Sequence, residues 1–377
     1  METRRDGGLR LASKNQLRLE VAVFEGQEIF SWAGDKLFSA QSVDELVGDG
    51  TTGSGDFGSF TISIFATDAA VFDYLGEKVA SDGERFATYG YRVPVEMSRY
   101  QMRLPAGSAV MSYRGQFWVD PRSADLHRLT IEADKPPRES GVCGVTTEMI
   151  YHRVRIGPGT FLMPQRSVLT MIDLSGAKAV NETSYASCRE YKSESTLLFQ
   201  EVPPEREGTT TTVSESPLPA GSRLPGGLRL DVRLKTPIDS KTTANGDLIQ
   251  GTLAKPIRGA DGRVLVEAGA VLYGRVMRLE QRFLPTRYFV LGLRFDSLKV
   301  DGKTVPLTLV ALPARDSGVA GSQSTDRLQL QPRAAGIGPF PIESRPGVGT
   351  FLFRQRDRLE LDRKFLTEWE TRSPALQ

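Results

Sequence analysis

Apolar and polar residues alternate with a period of two in segment after segment of this 377-residue chain. Successive side chains of a β-strand point to opposite faces, so each segment is predicted to be a half-buried strand of an antiparallel sheet. The pair Asp301-Gly302, between two such segments, predicts a hairpin turn. The predicted core-facing sets are Leu129, Ile131 and Ala133; Ile150, His152, Val154 and Ile156; Val168, Ile172 and Leu174; and Leu228, Leu230, Val232 and Leu234.

One stretch interrupts the alternation. Residues 201–222, EVPPEREGTTTTVSESPLPAGS, are rich in Pro, Thr, Ser and Glu and nearly lack large apolar side chains. Such a segment cannot bury enough surface to offset its chain entropy, so it is predicted to be a flexible linker. We therefore predict a mainly β fold with a curved antiparallel half-barrel over residues 1–200 and a small β-barrel over 223–377, since closure removes exposed edges. A long internal loop is predicted at about 314–346.

A glycine-rich stretch, GDGTTGSGDFG at residues 48–58, contains the G-x-G-x-x-G pattern of dinucleotide-binding loops and the D-F-G tripeptide of protein kinases. A dinucleotide loop needs a helix directly after it inside a parallel βαβ unit. Here more glycines follow, and the surrounding strands are predicted to be antiparallel. No H-R-D or V-A-I-K segment accompanies the D-F-G tripeptide. We therefore predict no nucleotide cofactor and interpret the stretch as a loop that requires glycine.

The segment after this loop, SFTISIFATDAAVF, is predicted to contain a short helix across the sheet. Phe60 and Ile64 fall near one helical face, with Phe65 beside it. One interpretation is a plug that fills the core. The other is the wall of an apolar cavity, and this hypothesis assigns ligand binding to Phe60, Ile64, Phe65 and Phe72.

The common catalytic patterns are absent from the sequence, including G-x-S-x-G and H-E-x-x-H. Its two histidines, His127 and His152, do not belong to any motif that would indicate a catalytic or metal-binding role. Nothing in the sequence brings two carboxylates together. Neither cysteine, Cys143 or Cys188, belongs to a C-x-x-C motif, and the sequence leaves open whether they form a disulfide. We expect no catalytic residues, no metal site, no cofactor and no enzymatic activity; the alternative is a hydrolase that acts through carboxylates scattered along the sequence. Aromatic residues alternate with arginines in RFLPTRYFV, but this spacing is more typical of strands than of a nucleic-acid-binding surface, and no nucleic-acid partner is predicted.

Charge is unevenly distributed. Residues 223–377 carry 25 Lys and Arg against 16 Asp and Glu. If the chain has an anionic partner, we expect this part to bind it. No apolar run is long enough to span a bilayer, and no transmembrane segment is predicted. The N-terminus lacks the apolar stretch of a signal peptide, yet a strand pattern is under way by Leu17. We interpret this N-terminus as the result either of a gene whose start was assigned too far downstream or of proteolytic maturation.

Two resemblances to known families follow from particular motifs. Residues 217–312 resemble the C-terminal β-barrel domain of TrbI-type proteins, which are channel-core components of conjugative and type IV secretion systems. The resemblance rests on the turns at Pro219 to Gly221 and Pro237 to Ser240, on Gly246-Asp247 and on the hairpin at 268–276. Residues 17–199 resemble the half-barrels of LolA-like lipoprotein carriers and of the periplasmic sensor RseB, through GDFGSFTISIF, YGYRVPVEMSRY, GQFWVDPRSADLHRLTIEAD and SCREYKSESTLLF.

These resemblances imply an envelope protein located in the periplasm or cell envelope. The first domain would hold an apolar ligand, either a lipid or an apolar peptide, and the second would contact an envelope protein or an anionic surface. The alternative is a structural or adaptor protein of an envelope assembly that has no small-molecule ligand. The oligomeric state is left open by the sequence.

Overall fold

The structure is a computed structural model that describes residues 2–3, 9–25, 27–35, 38, 42–47, 52–81, 83–104, 106–189, 224–284, 286–312, 323–324, 347–353 and 357–372. The linker predicted over 201–222 lies outside the described residues. So does the loop predicted at about 314–346, apart from residues 323–324.

The predicted mainly β fold is confirmed, because strands far outnumber helices among the described residues. In chain order the strands are β1 (Glu2–Thr3), β2 (Leu9–Arg10), β3 (Ser13–Asn15), β4 (Leu19–Phe24), β5 (Gln27–Trp32), β6 (Val71–Val79), β7 (Arg85–Val93), β8 (Gln101–Leu104), β9 (Gly107–Val110), β10 (Tyr113–Val119), β11 (Leu126–Ala133), β12 (Val142–Ile156), β13 (Gly159–Asp173), β14 (Lys178–Ser184), β15 (Arg229–Leu234), β16 (Ile238–Asp239), β17 (Leu248–Leu253), β18 (Ile257–Arg258), β19 (Val264–Val266), β20 (Val271–Arg282), β21 (Tyr288–Val300), β22 (Lys303–Pro306), β23 (Leu309–Ala311), β24 (Gln323–Ser324), β25 (Gly349–Phe353), β26 (Glu360–Leu361) and β27 (Leu366–Thr371). The α-helices are α1 (Val43–Val47) and α2 (Ser59–Phe65), and single 3₁₀ turns span Val95–Met97 and Arg138–Ser140.

The chain divides into two compact units. The first comprises Met1–Arg10, Glu20–Ser31 and Lys36–Pro204, and the second comprises Leu11–Leu19, Trp32–Asp35 and Glu205–Gln377. Two short N-terminal segments therefore belong to the same unit as the C-terminal half. The alternation pattern of the sequence does not indicate this exchange.

The first unit is built on a curled half-barrel of seven antiparallel strands in the order β14-β13-β12-β11-β10-β7-β6. The helix α2 packs on this sheet through buried Phe60 and Ile64. Leu129, Ile131 and Ala133 of β11 are buried, as their alternation predicts. The predicted half-barrel with a short helix is confirmed.

The predicted face of β13 is wrong, and that of β12 is wrong only up to Tyr151, because Val154 and Ile156 are half-buried and the arginines next to them are exposed. In β12 the buried residues include Met149 and Tyr151, whereas Ile150 and His152 are only half-buried. In β13 the buried side chains include Leu169, and predicted Ile172 is exposed. Both strands carry apolar residues on both faces, so their pattern cannot decide which face is covered.

The second unit contains a sheet in the order β23-β27-β15-β17-β20-β21-β25-β24, with β22 on β21 and β3 on β20. Its core includes Leu230, Val232 and Leu234, which confirms the predicted face of β15. The hairpin predicted at Asp301-Gly302 is also confirmed, since these residues link β21 to β22 with φ values of 48° and 78°. Two positive φ values are the signature of a type I′ turn. Closure of this sheet into a barrel stays a prediction.

A buried arginine organises one end of the second unit. Only 5% of the Arg275 side chain is exposed, and its guanidinium donates to the Ala33 carbonyl at 3.0 Å, to the Gly246 carbonyl and to Asp35 Oδ1 at 2.5 Å. The guanidinium carbon also lies 6.0 Å from the centre of the Trp32 ring. Every one of these contacts lies within the second unit.

Candidate functional site

The four residues of the predicted ligand site fall into two pairs. Phe60 and Ile64 point from α2 into the core, and the Phe60 ring meets Tyr100 and Tyr113 edge-on at centroid distances of 5.4 and 6.0 Å. These two side chains therefore fill the space between helix and sheet. This packing matches the interpretation of the segment as a core plug.

Phe65, the last residue of α2, lies beside Phe72 of β6, and each has 43% of its surface exposed. Their rings are nearly parallel, with centroids 6.1 Å apart, and both stand edge-on to buried Phe117 at 5.0 and 5.7 Å. Tyr89 stacks on Phe117 at 5.1 Å, and Tyr74, which is 60% exposed, lies 5.2 Å from Tyr89. We call these five residues the aromatic group.

Sequence reasoning missed three members of the aromatic group. Tyr74, Tyr89 and Phe117 come from β6, β7 and β10, which are adjacent in the sheet. The signal in the sequence was an aromatic residue at alternating positions of predicted strands, which places it on one face. Assigning these strands as neighbours would have been needed to group them.

The glycine-rich loop holds an anion, and that anion is a side chain of the protein. The carboxylate of Glu28, on β5, accepts backbone N–H bonds from Gly55 at 2.7 Å, from Phe57 and Gly58 at 2.9 Å each, and from Ser59 at 3.4 Å. Successive backbone N–H groups that converge in this way form an anion-binding concavity. Within the described residues 52–58, the loop therefore has a structural reason for its composition.

Gly55 illustrates why glycine is required here. Its φ of +110° is a conformation that L side chains rarely adopt, and a Cβ atom would lie 2.7 Å from the Phe60 ring. Its N–H group binds Glu28 while its carbonyl accepts a bond from the Phe60 N–H at 2.9 Å. The backbone of the loop thus links the buried carboxylate to the core-facing end of α2.

A second carboxylate lies beside the first. Asp56, within the same loop, accepts a hydrogen bond from the Ser167 hydroxyl at 2.5 Å and another from the Tyr185 hydroxyl. Asp56 and Glu28 are close enough for the charge of one to disfavour ionisation of the other. The structure thus brings two carboxylates together where the sequence contained no signal for it.

Burial raises the pKa of the Glu28 carboxyl above its ordinary value of 4.5, and the charge of Asp56 adds to this, although the loop N–H groups act in the opposite sense. Burial likewise raises the pKa of Asp56 above 3.8, against the bonds from Ser167 and Tyr185. The pKa of nearby Tyr100 rises to about 12 through burial and then the charge of Asp56. Burial thus raises the pKa of all three groups, while the loop N–H groups stabilise the charged form of Glu28.

We expect the first unit to lose stability as pH rises above the ordinary carboxyl pKa of about 4. A carboxyl whose pKa is raised by folding binds its proton more tightly in the folded state, so its contribution is complete below the unfolded pKa and is lost as pH passes the folded pKa. Urea denaturation at several pH values, with hydrogen exchange of peptides from 52–65, measures this. Asp56→Asn should flatten the slope, whereas Asp68→Asn, at an exposed position after α2, should leave it unchanged. A wild-type stability that rises over this range would contradict the assignment.

The carboxylate oxygens of Glu28 and Asp56 accept hydrogen bonds from other groups of the protein. Both oxygens of Glu28 receive loop N–H groups, and Asp56 receives two side-chain hydroxyls. The histidines lie elsewhere: His127 stacks on Phe86 at 4.3 Å, and His152 is half-buried on β12. The hydrogen bonds to Glu28 and Asp56 hold the loop in place.

The described part of the chain contains no group of three or more His, Cys, Asp or Glu side chains placed to hold a metal ion. Cys143 and Cys188 are both free thiols, the first exposed and the second half-buried. Neither described α-helix approaches the length and apolar character that a membrane-crossing helix requires. Comparisons with protein-family models, curated proteins and solved structures find no match to this chain.

Proposed function

We propose that this chain is a non-enzymatic binding protein of the cell envelope or periplasm, and that its first unit holds an apolar ligand on the aromatic group. The observation that carries the proposal is the partial exposure of three rings, Phe65, Phe72 and Tyr74, in one cluster. Clustered apolar exposure of this kind marks binding surfaces more often than single exposed residues do. The resemblance of residues 17–199 to lipoprotein carriers supports the same class of ligand.

The geometry of the group suits a chain-like ligand. Phe65 and Phe72 present roughly parallel rings, and buried Phe117 supports both from below. An acyl chain or an apolar side chain of a peptide would cover the exposed faces of these rings. Each buried methylene contributes about 0.8 kcal/mol, so a few of them are sufficient for measurable affinity.

The second unit would then contact a partner protein or an anionic envelope surface. Its support is the excess of Lys and Arg over Asp and Glu in residues 223–377 together with exposed Arg229 and Arg233 on β15. Electrostatic attraction of this kind mainly accelerates association and depends on salt. The resemblance of residues 217–312 to TrbI-type barrels supports a role in an envelope assembly.

One observation favours the alternative function. Phe60 and Ile64 are buried and fill the space under α2. This filled core suits a structural or adaptor protein that uses its surfaces for protein contacts and binds no small molecule. The two functions differ in whether the purified protein binds an apolar probe.

We expect the wild-type chain to bind a dansyl-labelled undecanoic acid with a rise in fluorescence, because the rings shield the dansyl group from water. The double variant Phe65→Ser/Phe72→Ser should bind at least about tenfold more weakly, which corresponds to about 1.4 kcal/mol. The matched control is Leu174→Ser, an exposed apolar residue after β13. Circular dichroism checks that all three proteins are folded. If the fluorescence of the probe does not change with the wild-type protein, the structural or adaptor function is favoured. If the double variant binds the probe as tightly as the wild-type protein, the ligand does not bind on the aromatic group.

A further inference from the structure

The strand β6 ends the seven-stranded sheet of the first unit. Among the described residues its one ladder partner is β7, so the N–H and C=O groups on its other side have no strand beside them. The strand β6 is also exposed on both faces and carries several large apolar side chains, which is unusual for a solvated edge. The exposed large side chains of the strand are Val71, Phe72, Tyr74, Leu75 and Val79. An edge with this character is a template for another strand.

A bulge in β6 decides which side chains share a face. The register with β7 shifts between Tyr74 and Gly76, so Leu75 is the extra residue. Residues opposite each other in an antiparallel ladder share a face, and the pairing with β7 therefore separates two sets. Phe72, Tyr74, Glu77 and Val79 lie on the face of Tyr89, whereas Asp73, Gly76 and Lys78 lie on the face of Phe86.

We propose that β6 pairs antiparallel with β6 of a second copy of this chain, about a two-fold axis that passes between Leu75 and Gly76. In this register Asp73 lies opposite Lys78 of the second copy, and the symmetry repeats the pair. Phe72 lies opposite Val79 in the same way on the other face. Without the bulge, Asp73 and Lys78 would point to opposite faces and could not meet.

Charge complementarity selects this register. Opposite charges across a ladder stabilise it, and like charges directly opposite destabilise it. A shift by one residue would place Asp73 opposite Glu77 of the second copy, whose side chain lies on the other face, so a regular ladder could not form in that register. The two-fold pairing is isologous, so it closes at two copies and leaves no further edge of this kind. It would also place the aromatic groups of both copies on the same face of one continuous sheet.

Sedimentation velocity over a range of protein concentrations tests the proposal. The wild-type chain should dimerise, and the single variants Asp73→Lys and Lys78→Asp should each shift towards monomer by at least tenfold in dissociation constant. Asp73→Lys/Lys78→Asp should restore the dimer. A mixture of the two single variants should form a heterodimer, because one copy then carries lysine at both positions and faces a copy that carries aspartate at both.

Each outcome decides the proposal. A wild-type chain that stays monomeric would overturn it, as would a dimer that is indifferent to both charge substitutions or a mixture that fails to associate. The exposed pair Arg166 and Glu182, on β13 and β14, supplies the control, since Glu182→Lys changes charge at another part of the same sheet. This variant should dimerise like the wild-type chain.

Discussion

Replacement of Glu28 by alanine is expected to lower the free energy of unfolding of the first unit by about 3 kcal/mol or more. The substitution removes the acceptor of four backbone N–H groups in the loop from Gly55 to Ser59. A buried donor left without an acceptor costs about 1–3 kcal/mol, and these donors lose their acceptor together. The loop also positions Phe60, so its disorder should reach the packing of α2.

Chemical denaturation and hydrogen exchange of peptides from 52–65 measure this effect. Glu28→Gln should fall between the wild-type chain and Glu28→Ala, since the amide oxygen accepts some of the N–H groups while the amide nitrogen opposes others. The control Glu182→Ala removes an exposed ion pair with Arg166 and should leave the free energy of unfolding close to the wild-type value. Equal stability of Glu28→Ala and the wild-type chain would show that water replaces the carboxylate at no cost.

Replacement of Arg275 by methionine is expected to destabilise the second unit by about 3 kcal/mol. The guanidinium is almost fully buried and binds two backbone carbonyls as well as Asp35. Removing one partner from a buried charge network typically costs about 3–5 kcal/mol, and the partial exposure of Asp35 places the expected value at the lower end. Lysine should not rescue the loss, because a single ammonium group cannot match the planar fork of donors.

Hydrogen exchange of peptides covering 27–35 and 244–250 should show faster exchange in Arg275→Met and Arg275→Lys than in the wild-type chain. The matched control is Arg287→Met, which removes an exposed arginine that lies 3.4 Å from Asp357. That variant should unfold at the wild-type denaturant concentration within error. If Arg275→Lys behaves like the wild-type chain, charge alone would explain the role of the arginine.

The mainly β fold could be predicted because alternation is a local property of a strand. It identified the buried faces of β11 and β15, where polar residues occupy the opposite face, and the turn at Asp301-Gly302. It failed in β13 and in β12 up to Tyr151, where apolar residues occur on both faces. The covered face of such a strand depends on what the rest of the chain packs against it, and no local pattern contains this information.

The candidate site was only partly predictable for the same reason. Helical spacing placed Phe60 and Ile64 on one face, and this face is buried. Nothing local distinguishes Glu28 from other glutamates in predicted strands. Its hydrogen-bond donors belong to a loop that comes much later in the sequence. The glycines of that loop indicated an unusual backbone conformation. Loops that bind external phosphates share this pattern, so it does not indicate which anion the loop binds.

The pairing of β3 with β20 has a consequence for synthesis of the chain. Residues 13–15 leave the ribosome well before their partners, Glu280 to Arg282, which emerge only after the last described strand of the first unit, β14, has been made. The early segment must therefore remain unpaired, and accessible to chaperones, while the first unit folds. A fragment that starts at residue 223 would lack β3 and also Ala33 and Asp35, two of the three residues that accept hydrogen bonds from Arg275, so the C-terminal half should not be stable when produced alone.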